Sequence, residues 1–337
     1  MILEVDDLQI HYHAKDGVAR AVDGVSFVVP EGRIVGLVGE SGCGKTTAAR
    51  AVMGVLPGSA RRVGGRIAFK GQTLDEAAMK RLRWREIAYV PQSAMSSLDP
   101  VYSVGAQLVE VLTKRGDARR RAARRRAAEL FDLVGLSERR LSDYPHQFSG
   151  GMRQRVAIAM ALALEPSLVL ADEPVTALDV IVQRQVLDML RTLQQRLRLS
   201  MVLVTHDISV VAYLCDEVVV MYAGQIIESG PVREVLARPR HPYTMGLRNA
   251  FPDLMANALE LVPIDGSPPD LRDPPPGCRF APRCPFALAA CTTGAALVGH
   301  NARGHVSACR RDGEADLLRK AALDPATWQR SSNFATS

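Results

Sequence analysis

The segment Gly39–Thr46 (GESGCGKT) has the residue types and spacing that bind phosphate groups. It fits the pattern G-x-x-x-x-G-K-[ST], follows an apolar strand-like run and opens a helix-like run. Glycines let successive backbone N–H groups turn toward phosphate oxygens, while the helix N-terminus adds a positive dipole. Lys45 is expected to reach the β- and γ-phosphates, and the Thr46 hydroxyl to ligate Mg²⁺. The predicted nucleotide-binding residues here are Gly39, Glu40, Ser41, Gly42, Cys43, Gly44, Lys45, Thr46 and Thr47, with Cys43 as a small filler side chain.

The stretch Leu168–Pro174 (LVLADEP) supplies the second half of this chemistry. An apolar strand would deliver Asp172 to its carboxyl end, where the carboxylate can hold Mg²⁺ through water. Glu173 comes next and can orient or deprotonate a water that attacks the γ-phosphate. The acidic pair is informative because the phosphate loop lies upstream in the same chain.

The C-terminal part of the chain contains four of its six cysteines, spaced C-x5-C-x6-C-x17-C. A structural Zn²⁺ site usually contains a short Cys-Cys knuckle, which this spacing lacks, although His300 or His305 could replace one thiolate. An iron–sulfur cluster also takes four thiolates and accepts varied spacings, and buried cysteines without a metal are common. Spacing therefore leaves zinc, an iron–sulfur cluster and no metal open for Cys278, Cys284, Cys291 and Cys309.

An α/β fold is expected to position these residues. Compact apolar runs at Arg33–Gly39, Pro166–Asp172 and Ser200–Thr205 are typical of buried parallel strands. The amphipathic stretch between the last two predicts a helix, and hence a βαβ unit. The N-terminal stretches predict an antiparallel sheet, Glu76–Arg140 is expected to be mostly helical, and Glu217–Gly230 predicts a hairpin.

The chain has 337 residues, of which 47% are hydrophobic and 23% charged, as in a globular protein with a core. The N-terminus lacks the apolar region of a signal peptide, and no run reaches the roughly 18 apolar residues of a membrane span. A cytoplasmic location with reduced thiols is therefore expected, which argues against disulfides. The net charge of +6 is concentrated in residues 114–126, interpreted as a solvated helix face, with nucleic acid or lipid binding as the alternative.

The stretch Phe148–Leu162 (FSGGMRQRVAIAMAL) resembles the signature motif of ABC-type ATPases, and other motifs of that family occur in its usual order. Gln92 resembles the Q-loop glutamine, Asp179 lies in a segment similar to the D-loop, and His206 resembles the switch histidine. Tyr12 lies where the family places an aromatic ring that stacks on adenine. The resemblance implies catalytic roles for Gln92, Glu173 and His206, Mg²⁺ contacts from Thr46, Gln92 and Asp172, and nucleotide contacts from Tyr12, Asp172 and Asp179.

The resemblance also implies the architecture and the assembly. It implies a cassette at residues 1–235 with a RecA-like α/β core, an antiparallel β subdomain and a helical signature subdomain at about 93–160. In the family the start of the signature helix contacts the γ-phosphate held by the opposite subunit, so two cassettes enclose two ATP molecules. The corresponding residues here are Ser149, Gly150 and Gly151. The signature departs from the usual pattern at Phe148 and Met152, where the family most often has Leu and Gln.

Three further stretches, Pro91–Glu110, Arg238–Pro252 and Ile264–Ala287, resemble the ATPases of oligopeptide and dipeptide importers. The implied function is an ATP-hydrolysing motor that drives peptide import, although nickel importers share this type of ATPase. The implied partners are a second, homologous ATPase in a heterodimer, two integral membrane permease subunits and an extracytoplasmic peptide-binding protein. No nucleic acid is expected, and the implied location is the cytoplasmic face of the inner membrane.

Some ATPases of this family hold a [4Fe–4S] cluster in the C-terminal extension, so the resemblance favours such a cluster on the four cysteines, with zinc as the alternative. The expected organisation is an accessory helix and proline-rich connector at 236–276, a small metal-stapled lobe at 277–311 and a tail at 312–337. The alternative function is a soluble, nucleic-acid-associated ABC ATPase with a zinc-binding C-terminal segment. A third is a redox-sensing interaction module.

Overall fold

The computed structural model describes residues 1–92, 97–250, 264–294, 299–300 and 304–329. Parts of the expected connector, cysteine lobe and tail lie outside the described residues, as do positions 93–96 after Gln92. Within the described part, an antiparallel sheet packs beside a larger mixed sheet, and helices cover the larger sheet.

The N-terminal sheet has the strand order β2-β1-β4-β5 and is antiparallel throughout, as predicted. Alternate side chains of its long strands point into a shared core because successive residues of a strand face opposite sides of the sheet. Its strands are β1 (Leu3–Ala14), β2 (Gly17–Val29), β4 (Ala60–Phe69) and β5 (Gln72–Thr73).

The larger sheet has eight strands in the order β11-β12-β10-β9-β3-β8-β7-β6. Neighbours from β9 through β6 are parallel, and β10 returns antiparallel to β9, which confirms the predicted hairpin. These strands are β3 (Ile34–Val38), β6 (Ile87–Val90), β7 (Leu168–Asp172), β8 (Ser200–Thr205), β9 (Glu217–Tyr222), β10 (Gln225–Pro231), β11 (Gly299–His300) and β12 (Val306–Ser307).

Strand β6 was not predicted and lies within Glu76–Arg140, whose other main elements are helices, as expected. This run of four residues pairs in parallel with β7 and forms one edge of the sheet. A run this short carries no periodic pattern that separates it from the helical sequence around it, so pairing with β7 decides its conformation. The α-helices are α1 (Lys45–Met53), α2 (Glu76–Leu82), α3 (Val104–Lys114), α4 (Arg120–Leu133), α5 (Gly150–Ala161), α6 (Val180–Leu197), α7 (Ile208–Leu214), α8 (Val232–Ala237), α9 (Pro242–Asn249), α10 (Ala315–Ala322) and α11 (Pro325–Gln329).

The basic segment, residues 114–126, forms the end of α3, the turn that follows and the first half of α4. Helix α4 buries a stripe that includes Leu130 and Phe131, and its arginines point away from that stripe. Arg126 pairs with Glu129 at 3.2 Å and with Glu165 at 3.0 Å, while Lys114 pairs with Glu110 at 2.6 Å. This is the arrangement of a solvated amphipathic helix.

The C-terminal lobe continues the larger sheet, which the sequence did not predict. Strand β12 pairs antiparallel with β10, and β11 pairs with β12. The lobe also shares an apolar cluster with the cassette that includes Tyr222, Tyr243, Phe280 and Trp328. Backbone pairing and apolar burial thus attach the described part of the lobe to the cassette. The expected metal staple is not shown, since no group of three or more His, Cys, Asp or Glu side chains in the described part is arranged to hold a metal ion. The expected tail contains α10 and α11, and Trp328 of α11 packs against α9 at Gly246.

Candidate active site

The phosphate loop connects β3 to α1, as the sequence predicted. Gly39 and Gly44 have φ angles of +157° and +102°, and a Cβ atom at either would lie about 2 Å from a backbone carbonyl oxygen. The loop therefore needs glycine at both positions because neighbouring strands approach its backbone closely. Ser41 and Gly42 are exposed at the tip of the loop.

Lys45 lies under this loop and is buried. Its Nζ donates to the carbonyl oxygens of Gly39 at 2.7 Å and Glu40 at 2.8 Å. The loop thus holds a positive charge within the curve where phosphate is expected. Burial raises the pKa of the neighbouring Cys43 thiol, which keeps it protonated and agrees with a filler role.

Thr46 and Asp172 meet at the ends of α1 and β7. The Thr46 hydroxyl donates to Asp172 Oδ1 at 3.0 Å, and the Tyr89 hydroxyl donates to Asp172 Oδ2 at 2.7 Å. Burial raises the pKa of Asp172, although these two hydrogen bonds partly oppose the effect. Burial and the adjacent carboxylate also raise the pKa of Tyr89, so it stays a phenol donor. Sequence reasoning missed Tyr89, although it lies in the same short motif as Gln92.

Glu173 contacts the other two residues predicted to be catalytic, Gln92 and His206. His206 Nδ1 lies 3.0 Å from Glu173 Oε1, and Gln92 Nε2 donates to Glu173 Oε2 at 2.7 Å. Thr176 also donates to Oε2 at 3.0 Å, a contact that the sequence did not predict. Burial acts to raise the pKa of Glu173, but the hydrogen bonds from His206, Thr176 and Gln92 outweigh it and lower the pKa. The carboxylate is therefore ionised at neutral pH.

Three other predicted nucleotide residues make local contacts. The Tyr12 hydroxyl lies 3.3 Å from Thr47 Oγ1, which brings β1 to the start of α1. Ser149 caps α5 by accepting from the Met152 N–H at 3.4 Å. Asp179 caps α6 by accepting from the Val182 N–H at 2.9 Å.

Gly150 and Gly151 form the first turn of α5 beside the start of α6. A Cβ atom at Gly151 would lie 2.2 Å from Val182 Cγ1. The signature and the D-loop segment are thus packed against each other because only a glycine fits between the two helices.

The four C-terminal cysteines line one small cavity together with His241, Arg310 and Arg311. Burial raises the thiol pKa of Cys278 and Cys284, and it raises that of Cys309 to about 12. Neighbouring thiols in the cavity add to each of these shifts. All six cysteines of the chain are free thiols.

Within the described ranges, no group of three or more His, Cys, Asp or Glu side chains is arranged to hold a metal ion. His305, considered as a zinc ligand, instead directs Nε2 to the buried Glu228 carboxylate at 2.6 Å. It does not line the cysteine cavity. The His300 side chain lies outside the described part. The single-ion zinc site with His305 is therefore not supported.

Two family descriptions match the chain. The ABC transporter family matches residues 22–176, which hold the phosphate loop, the signature and the acidic strand. The oligopeptide/dipeptide transporter C-terminal region matches residues 227–291, which include α9 and three of the four cavity cysteines. A probable peptide ABC transporter ATP-binding protein of Sinorhizobium fredii is 44% identical over 321 residues, covering 93% of this chain and 96% of the relative.

The chain belongs to the ATP-binding proteins of ABC transporters. The dipeptide transport ATP-binding protein of Bacillus subtilis is 45% identical and covers 86% of this ABC ATPase and 88% of its own length. The oligopeptide transport ATP-binding protein of Salmonella typhimurium is 42% identical over 92% and 93% of the two chains.

Solved structures share the cassette of this ABC ATPase. The ATP-binding cassette MJ0796, in a dimeric post-hydrolysis state bound to ADP and Pi, superimposes with a TM-score of 0.61 at 27% identity. It covers 68% of this chain and 99% of its own. The protein cbiO1 of Clostridium perfringens, part of the transporter complex cbiONQ, has a TM-score of 0.60 at 28% identity over 70% and 90% of the two chains.

The comparisons confirm the predicted family, cassette fold and ATPase class. They do not support the alternative of a nucleic-acid-associated ATPase, and Arg126 of the basic helix α4 pairs with the carboxylates of Glu129 and Glu165. Among the helices that the structure describes, none has the length and apolar character needed to span a bilayer.

Proposed function

We propose that this ABC ATPase is the ATP-hydrolysing motor of an importer for di- and oligopeptides. The hydrogen-bonded cluster of Gln92, Glu173 and His206 beside the phosphate loop is the observation that carries the ATPase part. Peptide import is supported by the match of residues 227–291 to the oligopeptide/dipeptide transporter C-terminal region and by the names of the relatives.

We assign the roles of the site residues from their contacts. Glu173 is the base that takes a proton from the attacking water, because it directly follows Asp172, which contacts Thr46 of the phosphate loop, and its carboxylate is ionised. His206 and Gln92 hold its two oxygens in place. Lys45 and the N–H groups of Gly39–Thr46 bind phosphate oxygens, and Tyr12 supports the adenine ring.

Mg²⁺ fits the corner formed by Thr46 and Asp172, with Gln92 as the third predicted contact. The donors are hydroxyl, carboxylate and amide oxygens, which are the ligands that Mg²⁺ prefers. Bound Mg²⁺ neutralises charge on the β- and γ-phosphate oxygens. Tyr89 keeps the Asp172 carboxylate oriented toward Thr46 through its 2.7 Å hydrogen bond.

The ATP site requires a second cassette. Two large apolar side chains directly after Asp179 are exposed to solvent, Val180 at 82% and Ile181 at 73%. Exposed apolar side chains next to a catalytic loop are typical of a surface that a partner covers. We propose that Ser149, Gly150 and Gly151 contact the γ-phosphate held by a homologous ATPase, in a heterodimer.

The remaining partners follow from the importer assignment. Two membrane permease subunits are proposed to dock on the cassette near Gln92, and an extracytoplasmic binding protein to deliver the peptide. The exposed side chains of Val101 and Tyr102, at 72% and 59%, lie in the segment after Gln92 and suit such a contact. The chain then lies peripherally on the cytoplasmic face of the inner membrane.

We further propose that the four C-terminal thiols hold a [4Fe–4S] cluster, with zinc as the alternative. The cavity also contains a donor that lacks an acceptor. His241 Nδ1 accepts from the Tyr243 N–H at 3.1 Å, and burial lowers the His241 pKa to about 3, so the neutral ring carries its proton on Nε2. That buried Nε2 has no hydrogen-bond partner among the described residues. A sulfide-containing group held by the four thiolates would accept a hydrogen bond from this Nε2–H, and the guanidinium groups of Arg310 and Arg311 would offset its negative charge.

Purification of the intact membrane complex tests these proposals together. We expect peptide with its binding protein to stimulate ATP hydrolysis, and about four irons per chain with visible absorption. Stimulation by nucleic acid instead of peptide would contradict the import function. Zinc in anaerobically purified complex would contradict the cluster while leaving the ATPase assignment intact.

A further inference from the structure

Arg283, next to Cys284, reaches from the C-terminal lobe into the phosphate loop. Its Nη1 lies 2.8 Å from Glu40 Oε2, and its Nη2 lies 3.1 Å from Glu40 Oε1. Nε and Nη2 also donate to the carbonyl oxygens of Asp265 and Ile264 at 2.9 and 3.1 Å. The Arg283 side chain is 7% exposed. Its guanidinium therefore makes a buried, bidentate ion pair with Glu40, while the carbonyl oxygens of Asp265 and Ile264 hold it from the lobe side.

A second contact joins the same loop residue to the region that the lobe covers. The Glu40 N–H donates to the Tyr243 hydroxyl at 2.9 Å. Tyr243 packs against Tyr222 and Phe280, with ring centroids 4.8 and 5.4 Å apart, and Phe280 belongs to the lobe. Both the side chain and the backbone of Glu40 are therefore held from outside the loop.

Glu40 places a negative charge within a loop whose task is to bind anionic phosphate. An unpaired carboxylate there would repel phosphate oxygens, and the repulsion is strong where water is partly excluded. Arg283 is the guanidinium that neutralises this carboxylate in the structure. The lobe thus contributes to the electrostatics of the ATP site and not only to its packing.

We propose that Arg283 is a positioning residue for ATP binding, which neutralises and orients Glu40 and so makes the affinity for nucleotide depend on the C-terminal lobe. The proposal rests on the proposed ATP site. It assigns to a residue of the cysteine lobe a role in the phosphate loop, from which it is separated by 243 positions in the sequence.

The test measures the Kd of the full chain for Mg·ADP by calorimetry, with the Tm of each variant as a measure of folding. We expect Arg283→Gln to raise the Kd about tenfold, because it leaves the Glu40 carboxylate unpaired. Glu40→Gln alone should raise the Kd less than Arg283→Gln does, since it leaves no unpaired negative charge in the loop. The double variant should recover to within about threefold of the unsubstituted chain.

Arg272→Gln is the matched control. Arg272 also joins the C-terminal segment to the cassette, through an exposed ion pair with Asp16 of the hairpin between β1 and β2. We expect its Kd to stay within about twofold, because an exposed pair contributes little. In the assembled complex, Arg283→Gln should raise the KM for ATP and leave kcat nearly unchanged, since Arg283 does not contact Glu173 or His206.

The recovery in the double variant separates charge neutralisation from a merely structural role. A structural role would lower the Tm and weaken the double variant at least as much as Arg283→Gln alone, and that result would overturn the proposal. An unchanged Kd in Arg283→Gln, with normal Tm, would also overturn it. Failure of the unsubstituted chain to bind Mg·ADP would instead overturn the proposed ATP site, on which this inference rests.

Discussion

The ATP site and the C-terminal lobe are built in opposite ways. The ATP site consists of short loops at the carboxyl ends of β3, β6, β7 and β8, and each loop carries its own motif. The lobe is built from separate segments that reach the cassette through long-range contacts, such as Arg279 with Asp23, 256 positions apart. Local residue spacing is therefore enough to predict the ATP site, whereas the structure of the lobe depends on contacts between residues far apart in the chain.

Two regions that contact each other in the folded chain can therefore differ greatly in how far their sequences predict them. Parallel strands bring their carboxyl ends to one edge, so motifs that follow strands are expected to converge. No such rule brings the cysteine lobe to the phosphate loop. The contact of Arg283 with Glu40 nevertheless brings the lobe to the phosphate loop.

The largest expected effect is on hydrolysis. We expect Glu173→Gln to lower ATP turnover by the assembled complex by at least about a hundredfold, because the general base is lost. Phosphate release measures turnover, and the Kd for Mg·ADP should be unchanged. Glu165→Gln is the control, since this carboxylate precedes β7 and pairs with Arg126. Substantial turnover in Glu173→Gln would show that the strand-end motif does not carry the base.

Removal of an aromatic ring from the lobe tests the coupling of the two regions. Phe280 is 1% exposed, so we expect Phe280→Ala to lower the free energy of unfolding by about 3 kcal/mol, through lost burial and a cavity. Urea unfolding measures the change. The control is Leu288→Ala, because Leu288 is 48% exposed. A large loss of stability with unchanged affinity for Mg·ADP would show that the two regions are energetically independent.

Loss of one thiol tests the proposed metal group. We expect Cys284→Ser to reduce the iron content to below about half, because a ligand is removed from a four-thiolate site. Iron analysis and visible absorption measure this. Cys215→Ser is a matched control, since Cys215 is a buried thiol that contacts the strand β3 at Gly36. Equal iron in both variants would contradict the cluster.

The smallest effect concerns pH. The pKa of Glu173 is lowered in the folded chain, so its ionisation stabilises the fold above the usual value of 4.5 and this contribution is lost as pH falls through the lowered pKa. The difference in unfolding free energy between the unsubstituted chain and Glu173→Gln should therefore shrink between neutral pH and about pH 3.5. Urea unfolding across this range measures it. A difference that grows as the pH falls would contradict the sign.

Much of the fold could be predicted because its elements carry strong local patterns. The apolar runs of β7 and β8, with the amphipathic α6 between them, were recognisable as a βαβ unit. The apolar run of β3 was recognisable as a further buried strand, and glycine at positions 39 and 44 marked a phosphate loop. Strand β6 could not be recognised, because four apolar residues acquire a conformation only by pairing with β7. Tyr89 was missed for the same reason, since its hydroxyl reaches Asp172 only when β6 lies beside β7.

The phosphate loop, the carboxylate pair at the end of β7 and the ordered motifs of an ABC ATPase can all be read from the amino-acid order, because each requires only residues close together in the chain. Three features emerge only in the folded chain: β11 and β12 extend the cassette sheet, α10 and α11 form part of the expected tail, and Arg283 pairs with Glu40. Edge pairing, apolar burial and ion pairing depend on surfaces that folding brings together. The spacing of residues along the chain does not predict which distant surfaces will meet.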